Sequence, residues 1–250
     1  MKKKMLESLY GFVYADSLAT GCWGERSSLL LAGLDSFSYL SAYSLMKNLD
    51  RAWRHGAYTC KDQPCDFDPV LVKALEGFER GVHPMECGMR GRIHNSPSAL
   101  MRAWPLSIYA LKVFNLKRDQ EEAEVFVRRY ISTSHAHETS LWLASLYSRL
   151  LWDLLEKPKT KPLLEALKEL EGFEGAGEDL VELMKDSLKA LIRAESFEEA
   201  LKLAGSNRDV QVIVGSLASL IFQDRPEDFY HIYKLKEIRG LALGAWLSIR

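Results

Sequence analysis

Apolar residues return every three or four positions along nearly the whole chain, and the clean alternation of a half-buried strand is almost absent, so the pattern predicts an all-α protein. Leu6, Leu9, Tyr10, Val13 and Leu18 fall broadly on one face of a helix over 5–19, with Gly21 and Gly24 in the turn after it. A second helix is predicted over 34–48. A short amphipathic helix over 70–80 is closed by Gly81 and Pro84, and a turn-rich stretch follows over 88–98. Residues 99–116 are helical in pattern despite Pro105, whose ring removes a backbone donor and must kink the helix or mark its start. Helices over 121–130 and 139–155 come next. The latter carries Leu, Trp and Tyr on all sides and is predicted to be enclosed by neighbours. Residues 157–161, with three lysines and Pro158, read as a surface linker. The charged segment 163–193, interrupted by Gly172, Gly175 and Gly177, reads as an excursion over the outside. Ser196 and Glu199 have capping-box spacing and start a helix up to Ala204, and a buried helix is predicted over 210–222. With no internal repeat and no shift in composition, 1–250 reads as a single domain.

The 250 residues are 47% hydrophobic and 27% charged, which excludes a disordered, collagenous or coiled-coil chain. Lys and Arg total 33 against 34 for Asp and Glu, a formal charge of −1, so no global field draws the chain to nucleic acid or an anionic membrane. The longest apolar run, 210–222, contains Gln211, Ser216 and Ser219 and falls well short of the ~20 residues of a spanning helix. Neither a nucleic-acid partner nor a membrane is expected. Cys22, Cys60, Cys65 and Cys87 are scattered over the first third with no apolar signal region behind residues 1–4. That predicts no disulfide framework and a cytoplasmic location. Cys60, Cys65, His83 and Cys87 are ligand types that zinc accepts, but the gap between Cys60 and Cys65 is outside normal knuckle spacing, and buried free thiols are the plainer reading.

Four junctions place acidic or hydroxyl groups just ahead of apolar helical runs: 15–18, 33–37, 94–102 together with 134–137, and 205–209. Polar groups at helix starts can converge on a ligand while the helices stay rigid. Capping is the competing reading, in which Asp35 and Asp209 serve their own helices.

Six segments, in order, resemble the ADP-ribosylglycohydrolase family. Leu9 to Ala19 (Leu-Tyr-Gly-Phe-Val-Tyr-Ala-Asp-Ser-Leu-Ala) resembles the family's opening Gly-Asp-Ala-Leu-Gly helix. Gly56-Ala-Tyr-Thr59 with Phe67-Asp68 resembles the following loop, and Asn95 to Pro105 resembles the Asn-Gly-Ser-Met-Arg-x-x-Pro-Leu segment. Ser134-His-Ala-His137 resembles Thr-His-x-His, and Ser196-Phe-Glu-Glu-Ala-Leu201 resembles the lead-in to the last acidic motif. The resemblance implies a compact orthogonal helical bundle with an ADP-ribose cleft at one end. It also implies hydrolysis of ADP-ribosyl bonds on a protein or small molecule by two magnesium ions, held by a Thr-Asp-Asp-Thr and an Asp-x-Asp-Thr motif.

Opposite those motifs stand Leu34, Asp35, Ser36 and Phe37, and Asn207, Arg208, Asp209 and Val210. Two carboxylates balance at most one divalent ion, with Ser36 and Asn207 adding oxygen but no charge, so at most one magnesium is expected, at Asp35, Ser36, Asn207 and Asp209. Arg208 adds a permanent positive charge. The resemblance assigns catalysis to Asp35 and Asp209 and ligand contact to Asn95, Ser96, Ser98, His135, His137 and Glu25, where Glu25 stands near a gating acid replaced by Trp23. His135 and His137, two apart, point in different directions, so at most one faces the ligand. The expected function is divergent ADP-ribosylglycohydrolase activity with impaired two-magnesium hydrolysis. The alternative is an inactive pseudoenzyme that binds ADP-ribose, a nucleotide or a protein partner, or one whose cleft is filled by Trp23, Phe37 and Arg208.

Overall fold

The computed structural model describes residues 1–173 and 178–249, which contain twelve α-helices and no strand. The first four are α1 (Lys2–Ser17), α2 (Glu25–Asp35), α3 (Ala42–His55) and α4 (Pro69–Glu79). Then follow α5 (Ser98–Val113), α6 (Gln120–Ile131), α7 (Glu138–Glu156) and α8 (Lys161–Glu171). The last four are α9 (Glu178–Arg193), α10 (Phe197–Leu203), α11 (Arg208–Ile221) and α12 (Leu235–Ser248). Among the described residues no helix is long and apolar enough to cross a membrane.

The centre is the pair α1 and α11, which approach until their backbones touch. A Cβ built on Gly11 would run into the carbonyl oxygen of Gly215, and one on Gly215 into that of Gly11. Only glycine permits that approach. Around the contact, a line of buried polar groups ties four helices together. Trp104 Nε1 of α5 donates to Ser8 Oγ at 2.9 Å, Ser8 and Ser216 share a hydrogen bond of 2.9 Å, and Tyr147 of α7 donates to Ser216 at 3.2 Å. Each polar atom buried there has a partner, which removes the desolvation cost of leaving it unpaired.

Helix α7 is buried along most of its length, as its all-round apolar pattern predicts. Pro105 lies inside α5 rather than at its start, and its ring packs directly over Gly33 of α2, where a side chain would collide. Three predicted elements need correction. The helix predicted over 34–48 is two helices: α2 ends at Asp35, residues 36–39 tighten into a 3-10 turn, and α3 starts afresh. Ser41 and Ser44 cap that start reciprocally, each side chain accepting the other's backbone N–H at 3.0 Å. Segment 163–193 is not an outer excursion. Leu163, Ala166 and Leu170 of α8 and Leu180, Met184, Leu188 and Leu191 of α9 are buried, and α9 packs on α8 and α11. Its charges form the wet faces of two amphipathic helices, while Gly175 and Gly177 lie outside the described residues. Finally, Cys22 and Cys60 form a disulfide, against the expectation of none. Cys60 is thereby unavailable to the zinc set, leaving Cys65 and Cys87 as free thiols.

Candidate functional site

The start of α2 is built by a residue from another helix. Asp16, fully buried near the end of α1, accepts the backbone N–H of Gly24 at 2.8 Å and of Ser27 at 3.0 Å. These are orphan donors of the first turn of α2, so Asp16 caps that helix from outside. The start of α11 faces the same place. Its cap is Asn207, whose Oδ1 accepts from the N–H groups of Asp209 and Val210, and Asp209 is left free of that duty. Arg208 Nη2 donates to the carbonyl of Asp16 at 2.7 Å and to its Oδ1 at 3.2 Å. Arg26 Nε donates to Asp209 Oδ1 at 2.6 Å, and its Nη1 lies 3.8 Å from Glu25 Oε1.

Glu25 is the carboxyl group most displaced here. Burial pushes its carboxyl up to about 7, and the charges of Asp209, Asp68 and Asp16 push the same way against the Arg26 guanidinium. It is therefore divided between its neutral and ionised forms near neutral pH. The free thiol of Cys65 stands in the same field, pushed up to about 12, chiefly by burial and then by Glu25.

A second polar cluster adjoins these acids. Asp68 caps α4, accepting from Val70 and Leu71 N–H, and its Oδ1 lies 4.0 Å from Nε2 of the fully buried His135. The His135 segment is held by backbone pairing with Met89, and Gly88 is required because a Cβ there would strike the Ser132 carbonyl. Arg102 of α5, also buried, donates to Ser134 Oγ, to Thr133 Oγ1 at 2.9 Å and to the Tyr130 carbonyl at 3.1 Å. Ser134 Oγ, which accepts from that cation, also shares a hydrogen bond of 2.7 Å with His135 Nδ1. His135 Nε2 shares hydrogen bonds of 3.0 Å with both Ser96 Oγ and Ser98 Oγ, which lie 2.8 Å from each other. Burial, above all, holds the imidazole well below its ordinary 6.5, with Arg102 and His94 adding to the effect against Asp68. His135 is thus a neutral imidazole with both ring nitrogens hydrogen-bonded to serine hydroxyls.

This arrangement has a measurable pH signature. The folded-state pKa lies below the unfolded value, so as pH falls below about 6.5 the unfolded chain takes up this proton first and folding stability declines. Above that point the group contributes no slope. Glu25, with its raised carboxyl, contributes the opposite slope, so urea unfolding at a series of pH values should show the natural chain losing stability relative to His135→Gln as pH falls below about 6.5.

The structure brings Glu25, Asp209, Ser96, Ser98 and His135 into one neighbourhood with Asp16, Asp68, Arg26, Arg102 and Arg208. It does not bring Asp35 there. Asp35 ends α2, nine residues from Arg26, which at ~1.5 Å per residue puts it roughly 13 Å along the helix from the arginine that holds Asp209. Exposed Asp35 accepts from the Tyr58 hydroxyl and lies 3.7 Å from Arg51 Nη1. Neither Asp35 nor Asp209 caps its own helix. Ser36 Oγ donates to the Ala32 carbonyl and accepts from Asn48. Asn95 Oδ1 accepts from Ser140, and His137 Nδ1 accepts the Thr139 N–H at the start of α7. The last two therefore have structural duties, and of the two histidines it is His135 that faces the serines. Trp23 is buried with its Nε1 bonded to the Tyr58 carbonyl, and Phe37 packs edge-on to Tyr109.

These donors do not fit a magnesium ion shared by Asp35, Ser36, Asn207 and Asp209. The first two stand at the far end of α2, Asn207 is a helix cap, and Asp209 is engaged by a guanidinium. Among the described residues no group of three or more His, Cys, Asp and Glu side chains is arranged to hold a metal.

Comparison with known proteins adds two findings. The family model described as ADP-ribosylglycohydrolase matches residues 3–245. A solved structure described as an ADP-ribosylglycohydrolase-related protein complex superposes with a TM-score of 0.79 and 17% sequence identity, over 100% of this chain and 99% of that one. At that identity the likeness is one of fold. No curated protein matches significantly in sequence.

Proposed function

Because the chain belongs to the ADP-ribosylglycohydrolase family, we propose that it is a divergent member impaired in two-magnesium hydrolysis of ADP-ribosyl bonds, and that its site binds ADP-ribose or an ADP-ribosylated molecule without magnesium-driven turnover. The observation that carries this reading is the Arg26–Asp209 ion pair: the acid that the resemblance gives to both metal and catalysis is occupied by a guanidinium at 2.6 Å. A carboxylate in such a pair has its charge satisfied and offers a divalent ion little. What remains for a ligand is a set of neutral polar groups. The hydroxyls of Ser96 and Ser98, held in place by His135 Nε2, suit a pyrophosphate, and Glu25 in its neutral form can donate to a ribose oxygen.

The test uses the full chain. Release of ADP-ribose from ADP-ribosylated arginine and serine peptides is followed with 5 mM magnesium chloride and with chelator, and calorimetry measures ADP-ribose binding under both conditions. The expected result is binding of equal strength in each, weakened at least tenfold in Ser98→Ala, with no magnesium-stimulated release. Turnover that rises with magnesium, or no binding at all, sinks the reading.

A further inference from the structure

Two guanidinium groups interlock three helices at this site. Arg26 of α2 is anchored on Asp209 of α11, and Arg208 of α11 is anchored on Asp16 of α1. Asp16 is fully buried, and its Oδ2 is engaged by the Gly24 and Ser27 N–H groups, so its charge needs a counter-ion that never leaves. Arg208 is seated tightly for that task. A Cβ on Gly24 would come within 3.2 Å of its Nη2 and 3.3 Å of Asp16 Oδ1, and its Nε is buried with no hydrogen-bond partner. Arg26 does the same for the acids at the other side, lying 2.6 Å from Asp209 and 3.8 Å from Glu25. A guanidinium is suited to such a post because it does not deprotonate at any physiological pH and is covalently tethered.

We propose that Arg26 and Arg208 are the resident cations of this site: they supply to Asp16, Glu25 and Asp209 the positive charge a divalent ion would otherwise supply, and by like-charge repulsion they keep such ions out. The inference rests on the reading that magnesium chemistry is impaired, and it goes further by naming what replaced the metal. It predicts that cation binding is latent and returns when one guanidinium is removed. Arg26 is the one to remove, since Asp209 and Glu25 are only partly buried and the loss leaves two carboxylates facing one gap.

Free manganese is measured by its paramagnetic resonance signal, and thermal unfolding is followed with magnesium chloride or chelator at constant ionic strength. The natural chain should take up no manganese stoichiometrically and should melt at the same temperature in both media. Arg26→Gln should bind about one manganese per chain and melt about 3–5 °C higher with millimolar magnesium. Arg26→Lys, which keeps the charge, should respond to neither ion, and Arg149→Gln, far along α7, serves as the control for general charge loss. If Arg26→Gln folds only when refolded with magnesium, that supports the proposal as well. Stoichiometric manganese uptake by the natural chain overturns it. So does an Arg26→Gln protein that ignores manganese, or one that fails to fold with magnesium while Arg26→Lys folds. Failure of ADP-ribose to bind sinks the functional reading and leaves this one standing, so the two can fail separately.

Discussion

Asp16→Ala should lower folding stability by about 3–5 kcal/mol, the cost of breaking a buried ion pair by removing one partner. Three losses coincide in this variant. The N–H groups of Gly24 and Ser27 lose their acceptor, Arg208 keeps a partly buried charge without its carboxylate, and a void opens at a fully buried position. Asp16→Asn keeps an oxygen for the helix cap but loses the charge and the second acceptor that faces Arg208, and it leaves no void, so it should be less damaging than Asp16→Ala. Urea unfolding of the three proteins, followed by circular dichroism, gives the ordering. Equal stability of the alanine variant and the natural chain would falsify the role of Asp16 as cap and counter-ion.

The second large effect concerns the disulfide. Cys22 lies between α1 and α2, Cys60 between α3 and α4, and the bond closes a loop with a sequence separation of 38. By the chain-entropy argument, a constraint of that length is worth about 2–4 kcal/mol, so Cys22→Ser with Cys60→Ser, or full reduction, should lower the urea midpoint accordingly. The two loops also meet through the bond from Trp23 Nε1 to the Tyr58 carbonyl at 3.1 Å, which should hold them near their native positions in the reduced chain. Alkylation of the denatured, unreduced protein should label two cysteines, Cys65 and Cys87. Four labelled cysteines would show that the bond does not form.

How much of this was legible in the sequence depended on where each element found its partners. Helices α1, α5, α6, α7 and α11 carry their own apolar pattern, and the predicted ranges lie within a few residues of those observed. Helix α2 does not. It has no side-chain cap of its own, and its start is fixed by Asp16 of another helix, which no local rule would assign. The same physics divides the site. Ser96, Ser98 and His135 stand in motifs that can be read locally and do meet in space. Arg26 and Asp209 pair across 183 positions, a contact no spacing announces. Reading Asp35 as a companion of Asp209 put a helix length between them, because alignment to a motif gives order along the chain and not distance. Cys22 and Cys60 were missed for a related reason, since their pairing depends on two loops being folded side by side.

Glycine-on-glycine contact between α1 and α11 also sets the timing of the protein's birth. Ser8 and Ser216, which meet beside it, are 208 positions apart, so α1 cannot make this contact until Ile221 has been added. At ~5–20 residues per second that is a wait of about 10–45 s, during which Leu9, Phe12 and Val13 are open to whatever holdase is nearby. Nascent α1 is thus open to chaperones for the interval between its own synthesis and that of α11.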